Sequence, residues 1–134
     1  VADWQALRIS TNGELEFLQE TSTLIIRRST ALFRDPSAWY HVVLAVDTTQ
    51  PITQNRIKIY VNNAEITSWA VNGTVNQNVE FAINNTVLHN VGRDADSGSY
   101  FDGYLTEVNF IDGQALTPSS FGQIESTTGV WSPK

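Results

Sequence analysis

Two consecutive β-type runs between Trp39 and Asn62 constrain this chain more than any other feature. The first, Trp39 to Val46, is β-branched and aromatic, and the second, Arg56 to Val61, alternates polar with apolar residues. Asp47 to Asn55 between them has the composition of a connection. Period-two alternation predicts Ile57, Ile59 and Val61 on a buried face, with Arg56, Lys58 and Tyr60 on a wet one. The first run is apolar on both faces, which predicts a strand in the middle of a sheet. Val43 and Ile59 are accordingly expected in one core.

The flanking sequence continues the β pattern. Ala6–Ser10 and Glu14–Leu18 surround Thr11-Asn12-Gly13, and Asn-Gly between alternating runs predicts a type I′ hairpin. Leu24–Arg28 reads as a third strand and Arg34–Ser37 as a turn into the central pair. Asn62-Asn63 suits a tight turn, followed by a short strand over Glu65–Val71 that contains Trp69. Further strands are predicted at Val79–Ile83, Val87–Val91 and Tyr104–Ile111. The last shifts its apolar parity, which a bulge near Thr106 and Glu107 would repair. One helical turn is credible, with Thr117 as N-cap, Pro118 at the first position and Gly122 ending it. Residues 127–133 show no periodicity. About nine short strands and almost no helix indicate an antiparallel sandwich.

Composition narrows the function classes. The 134 residues fit one domain, 1–134, and 41% hydrophobic residues with four Trp, four Tyr and six Phe supply a real core. There is no Cys, so neither disulfides nor thiolate metal sites are available. A net charge of −6 repels phosphate backbones and argues against nucleic acid as a partner. No apolar run reaches the length that spans a bilayer, so no membrane insertion is expected. A chain that starts at Val1 and has no Met reads as a processed protein or a piece of a longer one.

Two groups of side chains invite a binding role. Asp94, Asp96 and Asp102 lie on or beside an irregular loop, and calcium prefers oxygen ligands of this kind. The spacing is not that of an EF-hand, because the sixth position is Ser99 and the twelfth Leu105. A solvated turn with Asp side chains capping backbone amides is the preferred reading, so no cofactor is expected unless that loop takes calcium. Trp69, Tyr100, Tyr104 and Trp131 lie in or near loops, where exposed rings stack on sugars and buried ones build a core. The nucleophile-elbow, P-loop and zinc-protease motifs are all missing from the sequence. The triplets at Asn72 and Asn84 match the N-glycosylation pattern, which an Asn- and Thr-rich chain produces by chance.

Four ordered stretches resemble the laminin G-like, concanavalin A-like jelly rolls. They are Ala38–Val43, Ile57–Asn63, Leu88–Gly92, and Phe101–Val108 running on to Ala115–Thr117, over roughly residues 38 to 117. Asn63 stands where that family prefers Gly, and the loop before Phe101 is long. The resemblance implies an all-β, antiparallel two-sheet jelly-roll sandwich lacking its first strands, with an unpaired edge. It also implies structural roles for His41 and His89, a backbone-bonding carboxylate at Glu107, and occasional calcium in the loops. The related hydrolases carry an acidic Glu-x-Asp-x-Glu strand that this sequence lacks. Glu14 and Glu16 share a strand face but are expected at the periphery, so no enzyme activity is expected.

Phe33–His41 and Phe110–Gly122 further resemble modules in structural and tail-fibre-like proteins of marine bacteriophages. That likeness implies a non-enzymatic virion module, in a fibre, decoration or capsid-associated protein, at the virion surface or otherwise extracellular. Its partners would be other virion chains or copies of itself. The alternative on the same scaffold is a module that binds a host surface glycan or receptor. Fold alone does not choose between them.

Overall fold

The computed structural model describes residues 4–20, 24–94 and 98–134. Among them are nine strands, two single 3-10 turns and no α-helix. Every strand pairing is antiparallel. The chain gathers into two compact units. The first contains residues up to 36, 68–74 and 80–108, and the second 37–67, 75–79 and 109–134.

The first unit holds a four-stranded sheet. Its strands are β1 (Trp4–Ile9), β2 (Glu14–Glu20), β3 (Leu24–Leu32) and, from later in the chain, β7 (Trp69–Asn72), in the order β1-β2-β3-β7. The β1–β2 hairpin forms where Asn-Gly predicts it, but with three loop residues rather than two. Ile9 faces Leu15 and the Ser10 carbonyl accepts from the Gly13 amide. Gly13 alone in that loop takes a positive φ, 85°. This is the type I turn with a glycine bulge, not type I′. A Cβ on Gly13 would come within 2.5 Å of the Arg34 side chain, whose Nε donates to the Asn12 carbonyl.

Strand β2 is flanked on both sides and buried on both faces. Leu15 and Phe17 lie on one, and Glu16 and Leu18 on the other. Phe17 meets Phe81 edge-on, with ring centroids 6.1 Å apart, and Ile26 completes the core of this unit. The expectation that Glu16 is peripheral is therefore overturned. The register sets Arg8 and Arg28 directly opposite it on the neighbouring strands, at 2.8 and 2.6 Å. A register shift beside Glu16 leaves the Leu15 amide facing the buried Ser29 hydroxyl, which accepts its hydrogen bond at 2.9 Å.

The second unit holds β4 (Val42–Val46), β5 (Ile57–Val61) and β6 (Ala64–Glu65) in that order, and a separate hairpin of β8 (Gly122–Ile124) and β9 (Trp131–Pro133). The central pair is present, with Leu44 facing Ile59. Its details differ from expectation. Among the described strands β5 is the central one and β4 lies at the end. Trp39 is 64% exposed, because the ladder stops short of it: His41 bonds the Asn62 side chain and backbone instead. Val43 faces Tyr60, so it is buried on the opposite face of the hairpin from Ile59. Arg56 is not wet. Its guanidinium is buried and donates to the Gln50, Pro51 and Val75 carbonyls and to the Thr53 hydroxyl.

Asn62 and Asn63 close the β5–β6 turn with φ of 48° and 72°. The two-residue loop needs both in the left-handed region, which Asn tolerates better than other residues with a Cβ. The strand read over Glu65–Val71 divides: β6 pairs with β5, and β7 with β3. The predicted turn at Pro118–Ser120 forms as a 3-10 turn with Thr117 at its N-cap, and Gly122 leads into β8. The predicted strands at 79–83, 87–91 and 104–111 make no ladder, although Glu107 takes a φ of 52° where the parity shifts. The β8–β9 pair was not predicted, since three-residue strands containing Gly and Pro carry no period to read.

Two outcomes test this packing. Ile59 is fully buried, so Ile59→Ala should lower the unfolding free energy by about 2–5 kcal/mol in a urea titration. Burial alone would push the Glu16 carboxyl up, but the hydrogen bonds and charges of Arg8 and Arg28 outweigh it and hold the pKa below its ordinary value. That stabilisation is present above about pH 4.3, the ordinary Glu value, and is lost as pH falls through the folded-state pKa. The stability gap between the wild type and Glu16→Gln should be widest at pH 7 and narrow below pH 4, as read by urea unfolding at each pH.

Candidate functional site

The central hairpin creates a polar cleft inside the second unit. Ala45 and Lys58 face each other across β4 and β5, and Tyr60 follows on the same face with Val43 buried beside it. The segment Ala115–Thr117 and the loop residues Asp47, Gln50 and Asn55 complete the walls of a cleft of about 260 Å³. Arg56 ties three residues of this loop, Gln50, Pro51 and Thr53, through its guanidinium.

The Asp47 and Tyr60 side chains in the cleft have defined states. Gln50 donates to Asp47 Oδ2 at 2.6 Å, and the Thr49 hydroxyl and amide donate to Oδ1 at 2.6 and 3.0 Å. These bonds, Gln50 first, hold the Asp47 carboxyl below its ordinary pKa, so it is an oriented anion at neutral pH. Lys58 Nζ reaches Glu65 at 3.3 Å. Burial, followed by the Glu65 charge, pushes the Tyr60 phenol up, so it stays a neutral donor and acceptor. Acceptor carboxylate, amides, ammonium and an aromatic ring thus line one recess. It can accept and donate hydrogen bonds to a small polar ligand. Alternation read Lys58 and Tyr60 correctly as one face, but nothing in the local sequence announces that residues 115–117 wall it.

The predicted site residues fall elsewhere. In the first unit, residues 92–94 and 99–101 are tied together: Arg93 bridges Tyr100, the Asp94 amide donates to the Ser99 carbonyl at 2.9 Å, and the Phe101 amide to the Gly92 carbonyl at 2.9 Å. Asp96 lies outside the described residues. Asp102 is exposed beyond the loop closure. Among the described residues, no group of three His, Cys, Asp or Glu side chains is placed to hold a metal ion. Tyr100 and Tyr104 of the same unit are 71% and 86% exposed and offer open ring faces.

The two tryptophans are differently placed. Trp69 on β7 sits under the buried Arg27 guanidinium, 5.7 Å from its ring centre, while Arg27 donates to the Gly73 carbonyl at 2.5 Å. Trp131 on β9 donates its indole N–H to His41 Nδ1 at 2.9 Å. Both imidazoles are engaged, since His89 Nδ1 donates to the Val87 carbonyl at 2.8 Å. No helix among the described residues is long and apolar enough to cross a membrane.

No curated protein and no solved structure matches the chain. A family model does: the laminin G-like model of the concanavalin A-like lectin/glucanases superfamily aligns with residues 3–120. That range takes in the first sheet, the central hairpin and the segment that walls the cleft. With antiparallel strands throughout and this match over most of its length, the chain belongs to the concanavalin A-like lectin/glucanases superfamily and has its all-β jelly-roll fold.

Proposed function

We propose that this chain is a non-enzymatic structural module of a bacteriophage virion, part of a fibre, decoration or capsid-associated protein, that works at the virion surface by assembling with further copies of itself or with neighbouring chains. One observation carries the reading. Among the described residues, 87–94 and 98–108 of the first unit form no strand ladder and leave Val87, Leu88, Val91, Tyr100, Phe101, Tyr104, Leu105 and Val108 exposed. Leu88 is 83% exposed. Scattered surface apolar residues need no explanation, but a run of this density marks a surface that meets another chain. The likeness of Phe33–His41 and Phe110–Gly122 to phage modules supplies the setting.

Sedimentation velocity over a range of concentrations tests the reading. The wild type is expected to associate, and Leu88→Asp with Tyr104→Ser to sediment as a monomer, since a charge at the centre of a contact is left unpaired there. A wild type that remains monomeric at every concentration would overturn self-assembly through this surface.

The second reading, a glycan- or receptor-binding module, rests on the polar cleft. Tyr60, Asp47 and Asn55 offer the ring, acceptor and amide that a sugar hydroxyl pattern requires. A glycan array run with and without calcium separates the two. A hit abolished by Tyr60→Ala and indifferent to calcium supports the cleft. A hit that needs calcium moves attention to Asp94 and Asp102.

A further inference from the structure

His41 stands just ahead of β4, and its Nδ1 accepts the indole N–H of Trp131 on β9. The rings lie 5.7 Å apart at 49°. An indole N–H only donates, so Nδ1 is unprotonated and the imidazole is neutral, with its proton on Nε2. The chain that carries each ring is anchored. The His41 amide donates to Asn62 Oδ1 and its carbonyl accepts from the Asn62 amide, both at 2.9 Å. On the other side the indole lies against Gly122, where an added Cβ would approach Trp131 Cζ2 to 2.5 Å. The β8–β9 hairpin itself is short, with three paired positions, and depends on such anchors.

We propose that the His41–Trp131 hydrogen bond is an acid-released latch on the C-terminal hairpin. A proton taken from solvent at Nδ1 turns the acceptor of the indole N–H into a donor, so two N–H groups oppose each other and the hairpin loosens. The titratable side chains on the elements around His41 are Tyr40 beside it, Lys58 and Tyr60 on β5, Glu65 on β6, Glu125 after β8 and Lys134 after β9. None of them contributes to the His41 pKa, which burial alone lowers. The sign follows. The neutral form is favoured by the fold, so the latch is fully closed above the ordinary His value of about 6.5 and is lost as pH falls through the lower folded-state value.

Hydrogen exchange of the whole chain between pH 7.5 and 5.0, corrected for the intrinsic rate, tests the latch. The Glu125 and Lys134 amides, which donate to Val130 and Phe121, report on the hairpin, and the Asp47 amide, which donates to Arg56, serves as control. Protection at Glu125 and Lys134 is expected to fall severalfold on acidification, with Asp47 unchanged. In His41→Gln, whose side-chain oxygen accepts but does not titrate, the step should vanish. In Trp131→Phe, which keeps a ring on Gly122 but removes the donor, protection should be low and flat with pH. A flat profile in the wild type, or the same step in either variant, would overturn the proposal.

Discussion

A carboxylate removed from water is tolerated only where its lost hydration is replaced, and in this fold Glu16 depends on that condition. Its side chain is 1% exposed, yet Arg8 and Arg28 reach both carboxylate oxygens from the strands on either side. The guanidinium stems arrive there because Arg8 and Arg28 both pair directly opposite Glu16, the latter in a short stretch of ladder between two register shifts, so the ion triad and the local pairing specify each other. Sliding either neighbour by one residue would turn an Arg to the opposite face and strand the charge. The buried carboxylate thereby selects one pairing of three strands whose apolar residues would accept several.

The second unit solves a comparable problem with backbone. Arg56 faces carbonyl oxygens instead of a carboxylate, and it gathers the loop 50–53 and residue 75 around one guanidinium. Planar, multiply donating groups suit this task where a Lys ammonium does not. Since the loop so held also carries Asp47, Gln50 and Asn55 into the cleft, the clamp sets the shape of the recess without lining it.

The sequence conveys what period and turn chemistry encode. Ile57 and Ile59 alternate with Lys58 and Tyr60, and the structure keeps those faces. Asn12-Gly13 and Asn62-Asn63 turn where they should. What is illegible depends on partners far along the chain. Arg56 looks like a wet strand residue until the Val75 carbonyl arrives, and Glu16 looks peripheral until β1 and β3 enclose β2. The apolar stretches near Leu88 and Phe110 have strand composition but find no ladder, because composition states a preference and pairing requires an edge. The cleft is illegible for the same reason: residues 115–117 bear no local mark of the surface they cover. Trp131 lies in a stretch without period, and only tertiary structure reveals its bond to His41.

The order of the strands along the chain has a kinetic consequence. β3 and β7 pair from Arg27 to Asn72, and the whole β4–β5–β6 hairpin set lies between them. The last strand of the first sheet therefore closes a long loop, at an entropic cost that must be met before any ladder bond forms. Collapse of the intervening hairpins shortens that loop in advance, since β4, β5 and β6 pair with near neighbours. The β4–β5–β6 segment thus shortens the chain path between Ser29 and its partner Trp69. Lengthening the Asp47–Asn55 connection would slow completion of a sheet to which that connection contributes no strand.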